Sequence, residues 1–286
     1  MVFEKHEPDT PDDHTPASWA DRVRRAMSGA WQDLAGALDL PPELPQLHLD
    51  LVKAGPRAVS LRLDMPDAPL FIKLFDRPGT QSAFEAETRA LLALHDSGLV
   101  PRLRAFDTKR RFLVTEWAGV ALTSGIIDGI SSVQFGRELG IWLAEYDMVA
   151  PTEPATGNWA TYLACCGLDA GLIRMPEAAA LLDEMQIFGL GLAQNDAAFH
   201  NFLIGEDHAL RRCDFERASA RPRGWDYVLT HNALFERDPS TAPEAVAAMA
   251  EAFADTHRGA LLVEDLDQVA RITFCARANA GMAEAA

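Results

Sequence analysis

Residues 194–216, QNDAAFHNFLIGEDHALRRCDFE, are the stretch that decides how this chain is interpreted. An apolar run, a Gly-Glu-Asp turn and a second short strand pattern predict a β-hairpin. Because antiparallel partners lie only about 5 Å apart, Asn201 before the hairpin and Asp214 after it should lie close together. Their oxygens, with a second carboxylate from Asp196 nearby, suit a hard cation such as Mg²⁺ and hence a phosphoryl-transfer site. The alternative is a surface hairpin with ordinary turn acids.

The composition is that of a soluble globular protein. The chain has 286 residues, of which 48% are hydrophobic and 24% charged, enough for one large domain or two lobes. No apolar run approaches the roughly 18 residues of a membrane helix. Residues 1–16 are acidic and proline-rich, unlike a signal peptide, and predict a disordered tail. Four cysteines without a C-x-x-C pair favour a reducing, cytoplasmic location.

The negative charge is concentrated in the second part of the chain. Residues 1–117 contain 15 basic and 18 acidic side chains, a net charge of −3, whereas residues 118–286 contain 11 basic and 24 acidic side chains, a net charge of −13. Such a surface repels nucleic acid and anionic membranes and attracts cations. We therefore expect neither nucleic acid nor membrane as a partner, although overall charge is a weak guide to a ligand.

The sequence pattern of residues 17–117 predicts a helix followed by a β-rich segment. Alternating apolar patterns predict five antiparallel strands, with a single helix at 80–97 inserted after the third strand. Lys73 is the only charge inside the apolar third strand, and Glu87 stands on the inserted helix where it could pair with Lys73. The alternatives are an edge-strand lysine whose stem reaches water and a solvated helical glutamate.

The sequence pattern of residues 118–286 predicts mostly helices, which the loop and hairpin at 194–216 interrupt. The helical patterns cover residues 131–148, 158–166, 177–185, 225–235, 242–257 and 263–278. No internal repeat, coiled-coil heptad or low-complexity tract is present in the sequence.

The order of the candidate residues along the chain resembles the protein-kinase-like fold. That order is a glycine turn, Lys73, Glu87, a polar link at Glu116, and then Asp196, Asn201 and Asp214. Within that fold it is similar to the aminoglycoside phosphotransferase and choline kinase-like family, over about residues 47–235. The resemblance implies an α+β, two-lobe fold. Residues 17–117 would form an N-terminal lobe with an antiparallel β-sheet and one helix, and residues 118–286 a mostly helical C-terminal lobe.

The resemblance implies a nucleotide-binding role for residues of the first lobe. The segment F-I-K-L-F is similar to the family's phosphate-binding strand, so Lys73 would bridge the α- and β-phosphates of ATP and Glu87 would pair with it. Gly55 would stand in the turn over the nucleotide. In F-L-V-T-E-W-A-G, the Glu116 carbonyl and the Ala118 amide would bind the adenine edge.

The resemblance also implies catalytic and metal-binding roles in the second lobe. In N-D-A-A-F-H-N, Asp196 would be the catalytic base and Asn201 a metal ligand, and Asp214 of C-D-F-E would be the main Mg²⁺ ligand. Asp226, at the start of a later helix, would brace the catalytic loop without taking part in the chemistry.

The sequence departs from the family pattern at three points. The usual histidine two residues before the catalytic aspartate is Gln194, and the glycine between them is Asn195. The family's histidine two residues after that aspartate is Ala198 here, while His200 lies directly before Asn201, and a core or loop-bracing role is the simplest interpretation of His200. A full G-x-G-x-x-G motif is absent, which suits small-molecule kinases and leaves nucleotide affinity open.

The segment after the hairpin indicates the size of the acceptor. Only eight residues, 217–224, separate D-F-E from W-D, and they contain no A-P-E motif, so a small acceptor is favoured over a peptide. The acidic second lobe favours a cationic acceptor, with Asp226, Glu236 and Asp238 as candidates to line its pocket.

The sequence therefore predicts an ATP- and Mg²⁺-dependent phosphotransferase. It would act on a hydroxyl of an amino sugar, amino alcohol or sugar, as a monomer or homodimer. The main alternative is a non-catalytic kinase-like protein that binds nucleotide. A kinase acting on a protein or a lipid-linked sugar is a third, less favoured interpretation.

Overall fold

A computed structural model describes residues 31–39, 48–65, 67–153, 163, 188–259 and 261–284. These residues divide into two compact units, one within Met1–Thr88 and Arg102–Trp117 and the other within Arg89–Pro101 and Ala118–Ala286. The predicted tail at 1–16 lies outside the described residues. So do the predicted helices at 158–166 and 177–185, except for Leu163, which is helical.

The first unit is built on a five-stranded antiparallel sheet, and residues 31–37 form a helix, α1, that precedes it. The strands are β1 (His48–Ala54), β2 (Val59–Asp64), β3 (Leu70–Leu74), β4 (Leu103–Asp107) and β5 (Phe112–Glu116), in the spatial order β1-β2-β3-β5-β4. Helix α2 (Gln81–Leu94) follows the third strand, as predicted.

The core of this unit lies between helix α1 and one face of the sheet. Its buried members are Trp31, Leu34, Ala35, Val59, Leu61, Leu63, Ile72, Leu74, Phe112 and Val114. Since side chains alternate along a strand, Lys73 projects to the opposite face from Ile72 and Leu74. Helix α2 covers that opposite face, where Phe84 packs edge-on against Phe75 with ring centroids 5.7 Å apart.

The second unit combines helices with two small antiparallel sheets. Its helices are α3 (Ser124–Ile127), α4 (Ser132–Val149), α5 (Trp225–Arg237), α6 (Ala242–Thr256) and α7 (Val263–Glu284). Strands β6 (Val120–Ala121), β9 (Phe202–Ile204) and β10 (Leu210–Arg212) form one sheet. Strands β7 (Thr152–Glu153), β8 (Leu190–Ala193) and β11 (Ser219–Pro222) form the other.

Helices α4 and α6 approach each other at two glycines. A Cβ atom added at Gly136 would lie 2.0 Å from the carbonyl oxygen of Ala245, and one at Gly140 would lie 2.2 Å from that of Met249. No side chain fits such a gap, so the two backbones are in direct contact.

Asp147, near the end of α4, anchors a buried polar cluster. Its carboxylate accepts hydrogen bonds from Arg223 and from His257 Nε2, the latter at 2.9 Å. The Gly259 N–H donates to His257 Nδ1 at 3.1 Å, which assigns the ring proton to Nε2. Burial alone would raise the pKa of Asp147, but the hydrogen bonds from His257 and Arg223 outweigh it and hold the pKa below its ordinary value.

The predicted helices of the described chain are present, with ends shifted by a few residues. Ser131 caps α4 by accepting a hydrogen bond from the Gln134 N–H at 3.2 Å. The second unit also has strands β6, β7, β8 and β11, which the sequence analysis did not predict. Among the described helices, none has the length and apolarity that crossing a bilayer requires.

Candidate active site

Lys73 and Glu87 form a buried ion pair in the first unit. The Lys73 ammonium donates to Glu87 Oε2 at 2.6 Å, and the two side chains are 9% and 5% exposed. Lys73 Nζ also lies 5.1 Å from the centre of the Phe75 ring. The expected pairing of this lysine with this glutamate is therefore present, and both charges are withdrawn from water.

The other nucleotide-binding candidates occupy a turn and the end of a strand. The Gly55 N–H donates to the Ala58 carbonyl at 2.9 Å in the turn between β1 and β2, where a Cβ atom would fit. Glu116 ends β5, and its carboxylate pairs with Arg104 at 2.8 Å. Ala118 is the first residue of the second unit after the division at Trp117. Their roles toward a nucleotide stay predictions.

The predicted hairpin brings Asn201 and Asp214 to the same end of two paired strands. Strands β9 and β10 are antiparallel, with Phe202 opposite Arg212. Beyond that pair, the Cys213 N–H donates to the Asn201 carbonyl at 2.8 Å. Asp214 follows in the left-handed backbone region, with a φ of 65°. The structure thus places the two metal-ligand candidates next to each other.

Gln194 connects the catalytic loop to the end of the hairpin. Its side chain is fully buried, and its Nε2 atom donates to the carbonyl of Cys213 and, at 2.9 Å, to that of Asp214. The family that the sequence resembles usually has a histidine at this position, which acts as a scaffold residue.

 Here the glutamine amide makes the bracing contacts itself, so the departure from histidine leaves the loop held in place.

Asp226 fixes the backbone of the same loop, as expected. Its carboxylate accepts the N–H groups of Gln194 at 2.9 Å and Asn195 at 3.2 Å. Burial raises the pKa of Asp226, and this rise is opposed by the charge of Arg212 and by the two backbone hydrogen bonds. Asp226 therefore acts as an internal anchor at the start of α5.

Asn195 occupies a left-handed backbone position with a φ of 64°. Asparagine and glycine tolerate this region best, which explains why the family's glycine can be replaced by asparagine. Its Nδ2 atom donates to the Arg217 carbonyl at 2.8 Å and to Ser219 Oγ at 2.9 Å, and its Oδ1 atom accepts from Arg221 at 2.8 Å. The side chain thereby ties the loop to the segment that follows Asp214.

Asp196, the predicted catalytic base, lies in the wall of an open cavity. One carboxylate oxygen, Oδ1, accepts the Ala198 N–H at 2.9 Å, which fixes the orientation of the side chain. The carbonyl of Asp196 accepts a hydrogen bond from Arg212. Both ends of the residue are therefore held by the protein.

Arg212 is a supporting residue that the sequence analysis missed. It is fully buried, and its guanidinium lies 4.7 Å from the Phe202 ring centre and 5.3 Å from that of Trp142. Burial lowers the pKa of Arg212, opposed chiefly by the charge of Asp226. The sequence contained one signal for the burial of Arg212. Arg212 shares a strand face with the apolar Leu210, because alternate residues of a strand point the same way.

The side chains of Asn201 and Asp214 suit Mg²⁺ in their chemistry. Asn201 is 2% exposed, and its amide nitrogen has no hydrogen-bond partner among the described residues. Because amide oxygen and nitrogen can exchange places by rotation, this group can present an oxygen ligand. No group of three or more His, Cys, Asp or Glu side chains in the described chain is placed to bind a metal. An amide and a carboxylate would thus share Mg²⁺ with water and phosphate oxygens, the coordination this ion usually has.

The cavity beside Asp196 has a volume of about 800 Å³ and lies within the second unit. The described residues that line it are Leu122, Thr123, Ser124, Ile127, Asn195, Asp196, Ala197, Ala198, Phe199, His200, Arg217, Leu229, Ala233, Glu236, Arg237 and Arg277. The exposed His200 is therefore a cavity residue, and the core role suggested for it is wrong.

Of the three acids expected to line the acceptor pocket, only Glu236 lines this cavity. Asp226 is buried beneath the loop, where it accepts backbone hydrogen bonds. Asp238 instead accepts hydrogen bonds from Ser240 and Thr241 ahead of helix α6.

The structure is similar to several solved phosphotransferases. The ethanolamine kinase of Plasmodium vivax matches with a TM-score of 0.62 and 16% identity, over 93% of this chain and 81% of that one. The type VIII aminoglycoside-3'-phosphotransferase matches with a TM-score of 0.54 and 19% identity, over 88% and 99% of the two chains. The APH(2")-IIa protein in a ternary complex with streptomycin and ATP matches with a TM-score of 0.55 and 11% identity, over 85% and 86%.

No protein-family model and no curated protein sequence matches this chain. The structural similarities therefore establish the fold: an antiparallel sheet with one helix, followed by a largely helical part, as in aminoglycoside phosphotransferases and ethanolamine kinases. The predicted protein-kinase-like α+β fold is confirmed.

Proposed function

We propose that this protein is an ATP- and Mg²⁺-dependent phosphotransferase that transfers the γ-phosphate to a hydroxyl group of a small molecule. The observation that carries the proposal is the loop and hairpin of the second unit. There Asp196 lies in a cavity wall while the Cys213–Asn201 hydrogen bond, 2.8 Å long, sets Asn201 beside Asp214. The fold supports the proposal, since solved structures that share it include a complex with ATP.

Asp196 is the proposed catalytic base. Its Oδ1 atom is occupied by the Ala198 N–H, so the acceptor hydroxyl would donate to the other oxygen, Oδ2. As the acceptor oxygen bonds to the γ-phosphorus and the bond to the β-phosphate oxygen breaks, the hydroxyl proton moves to Asp196. Gln194 and Asp226 support this step by fixing the loop backbone, so that the base is already oriented when the acceptor binds.

Lys73 is the proposed partner of the ATP phosphates in the first unit, with Glu87 fixing its position at 2.6 Å. In the second unit, Asn201 and Asp214 would hold Mg²⁺, which when bound neutralises the charge of the phosphate groups. Gly55, Glu116 and Ala118 are proposed to contact the nucleotide, as the family resemblance implies.

The segment after Asp214 supports a small acceptor. Residues Ser219–Pro222 form strand β11, which pairs along its whole length with β8. This strand takes up half of the eight residues 217–224, which leaves little chain for a separate peptide-docking segment. A cavity of about 800 Å³ is within the usual range for a small-molecule site.

A non-catalytic nucleotide-binding protein is the second candidate. The sequence features that favour it are Gln194 in place of histidine and the glycine-poor turn at Gly55. The buried Gln194 amide, however, makes two hydrogen bonds to the backbone that brace the loop. A kinase that acts on a protein or a lipid-linked sugar is less favoured, because no further observation supports it.

The test combines nucleotide binding with ADP release. Mg-ATP should raise the melting temperature of the wild-type protein, and Asp214→Ala should abolish that rise. ADP release should increase with at least one acceptor in a panel of sugars, amino sugars, amino alcohols and hydroxylated acids, and Asp196→Asn should lower kcat by about 100-fold or more.

Asp255→Asn is the matched control, since Asp255 is an exposed acid on α6 outside the cavity. Nucleotide binding without ADP release for any acceptor would favour the non-catalytic candidate. Absence of a shift with Mg-ATP in the wild-type protein would reject the proposal.

A further inference from the structure

Among the residues that the structure describes, the cavity beside Asp196 is lined by more positive than negative side chains. These are Arg217, Arg237 and Arg277 on one side and the carboxylates of Asp196 and Glu236 on the other. Guanidinium groups stay protonated at every physiological pH, so this charge is permanent. The described lining therefore has the opposite charge balance to residues 118–286, whose net charge is −13.

Both carboxylates of the described lining already have a partner or a proposed role. Glu236 Oε1 accepts a hydrogen bond from Arg277 at 3.0 Å, which neutralises its charge. Asp196 is engaged with the Ala198 N–H and, under the proposed function, with the acceptor hydroxyl. Among the described lining residues, an ammonium group would therefore find one carboxylate without an ion-pair partner, that of Asp196, which the proposed function assigns to the acceptor hydroxyl. It would also face three arginines, of which Arg237 is paired with Asp128 and Arg277 with Glu236.

The arginines, in contrast, can take up an anion. Arg217 makes no ion pair with any residue that the structure describes and is exposed at the cavity. Arg277 and Glu236 are 43% and 55% exposed, and exposed ion pairs of this kind contribute little to stability. Arg277 can therefore exchange its partner for a ligand anion at small cost.

The position of Arg217 links this charge to the catalytic loop. Its carbonyl accepts a hydrogen bond from Asn195 Nδ2 at 2.8 Å, and Asn195 immediately precedes Asp196 in the chain. The root of the arginine is thus fixed to the same loop as the proposed base. Arg237 and Arg277 come from helices α5 and α7.

We propose that the phosphate acceptor carries an anionic group, a carboxylate or a phosphate, in addition to its hydroxyl, and that Arg217 binds this group with help from Arg277. This inference rests on the proposed function of the same site. A guanidinium presents two parallel N–H donors, the geometry that both carboxylates and phosphates accept.

Matched ligands that differ by one anionic group provide the test. L-serine differs from ethanolamine by a carboxylate, and glycerol 3-phosphate differs from glycerol by a phosphate, while all four keep a hydroxyl. Dissociation constants are measured by calorimetry in the presence of saturating Mg-ADP, so that the nucleotide site is filled. We expect the anionic member of at least one pair to bind about 10-fold more tightly or better. The pair that shows the preference identifies carboxylate or phosphate as the group recognised.

Variants assign the preference to the arginines. Arg217→Gln should reduce the preference for the anionic ligand by about 10-fold, and Arg277→Gln by a smaller factor because Arg277 already has a partner. Arg258→Gln is the control, since Arg258 is an exposed arginine after α6 that does not line the cavity. It should leave both dissociation constants unchanged.

Three results would overturn the inference. The first is tighter binding of ethanolamine than of L-serine, together with no preference for glycerol 3-phosphate over glycerol. The second is equal binding within both pairs, and the third is a preference for the anionic ligand that Arg217→Gln leaves intact. Mg-ATP binding and ADP release are recorded separately on the same protein. If these fail while the anion preference is present, the proposed function fails and the binding site remains. If they succeed with ethanolamine as the preferred acceptor, only this inference fails.

Discussion

Removing one partner of the Lys73–Glu87 pair should destabilise the protein far more than removing both. At 2.6 Å and an effective dielectric constant of about 20, the attraction between the two charges is about 6 kcal/mol. Withdrawal from water costs several kcal/mol for each ion, so the intact pair contributes little net stability. Lys73→Met leaves the Glu87 carboxylate, 5% exposed, without this partner, and Glu87→Leu does the same to the ammonium. Each single change should therefore cost about 3–5 kcal/mol.

The double variant Lys73→Met with Glu87→Leu should lie within about 1 kcal/mol of the wild-type protein, because both charges of the pair are removed together. The assay is urea denaturation at neutral pH, followed by circular dichroism, for the wild type, both single variants and the double variant. Arg104→Met is the control, since it breaks the exposed Arg104–Glu116 pair of the same unit and should cost less than about 1 kcal/mol. The reasoning is refuted if the double variant is as unstable as the sum of the two single variants.

Three further changes test the supports of the site and of the helical unit. Gln194→Leu removes two hydrogen bonds from a buried side chain to the carbonyls of Cys213 and Asp214 and should cost about 2 kcal/mol in urea denaturation. A cost near zero would contradict the bracing role of Gln194. Asn195→Gly and Asn195→Ala lose the same side-chain contacts, but only alanine is strained at a φ of 64°, so thermal denaturation should find the glycine variant more stable by about 1 kcal/mol. The lowered pKa of Asp147 means that its contribution to stability is present above about pH 4 and is lost as the pH falls through the folded-state pKa. Asp147→Asn should therefore lower the urea midpoint at pH 7, with a difference that shrinks toward pH 3, and a constant difference would contradict the role of its bonds to His257 and Arg223.

The fold was predictable where the sequence pattern is long and regular. The strands of the first unit and helices such as α4 show the periods of 2 and 3.6 residues that burial of one face imposes. Strands β6 and β7 have two residues each, too few to show any period. Strand β11 contains Pro222, which favours a loop in a sequence-based interpretation, yet it pairs with β8 through the tertiary structure.

The sequence predicted the proximity of the site residues, but not the side chains that hold them in place. A hairpin of known length requires Asn201 and Asp214 to be neighbours, and the hydrogen bond beyond the strands follows from that geometry. In contrast, the burial of Arg212 depends on aromatic rings that come from α4 and β9. The charge of the described cavity lining could not be obtained from the net charge of residues 118–286. Arg217, Arg237 and Arg277 come together there from three separate parts of the chain, whereas most acids of the described chain do not line the cavity.

The contact between α4 and α6 reverses an ordinary rule of helix design. At most exposed positions within a helix, replacing glycine by alanine stabilises the helix by about 1 kcal/mol. At Gly136 and Gly140 the added methyl group would overlap a carbonyl oxygen of the neighbouring helix. Gly136 and Gly140 have the poorest helix propensity in α4, yet they set the distance between helices α4 and α6. Substitutions chosen only to raise helix propensity would therefore push the two helices apart.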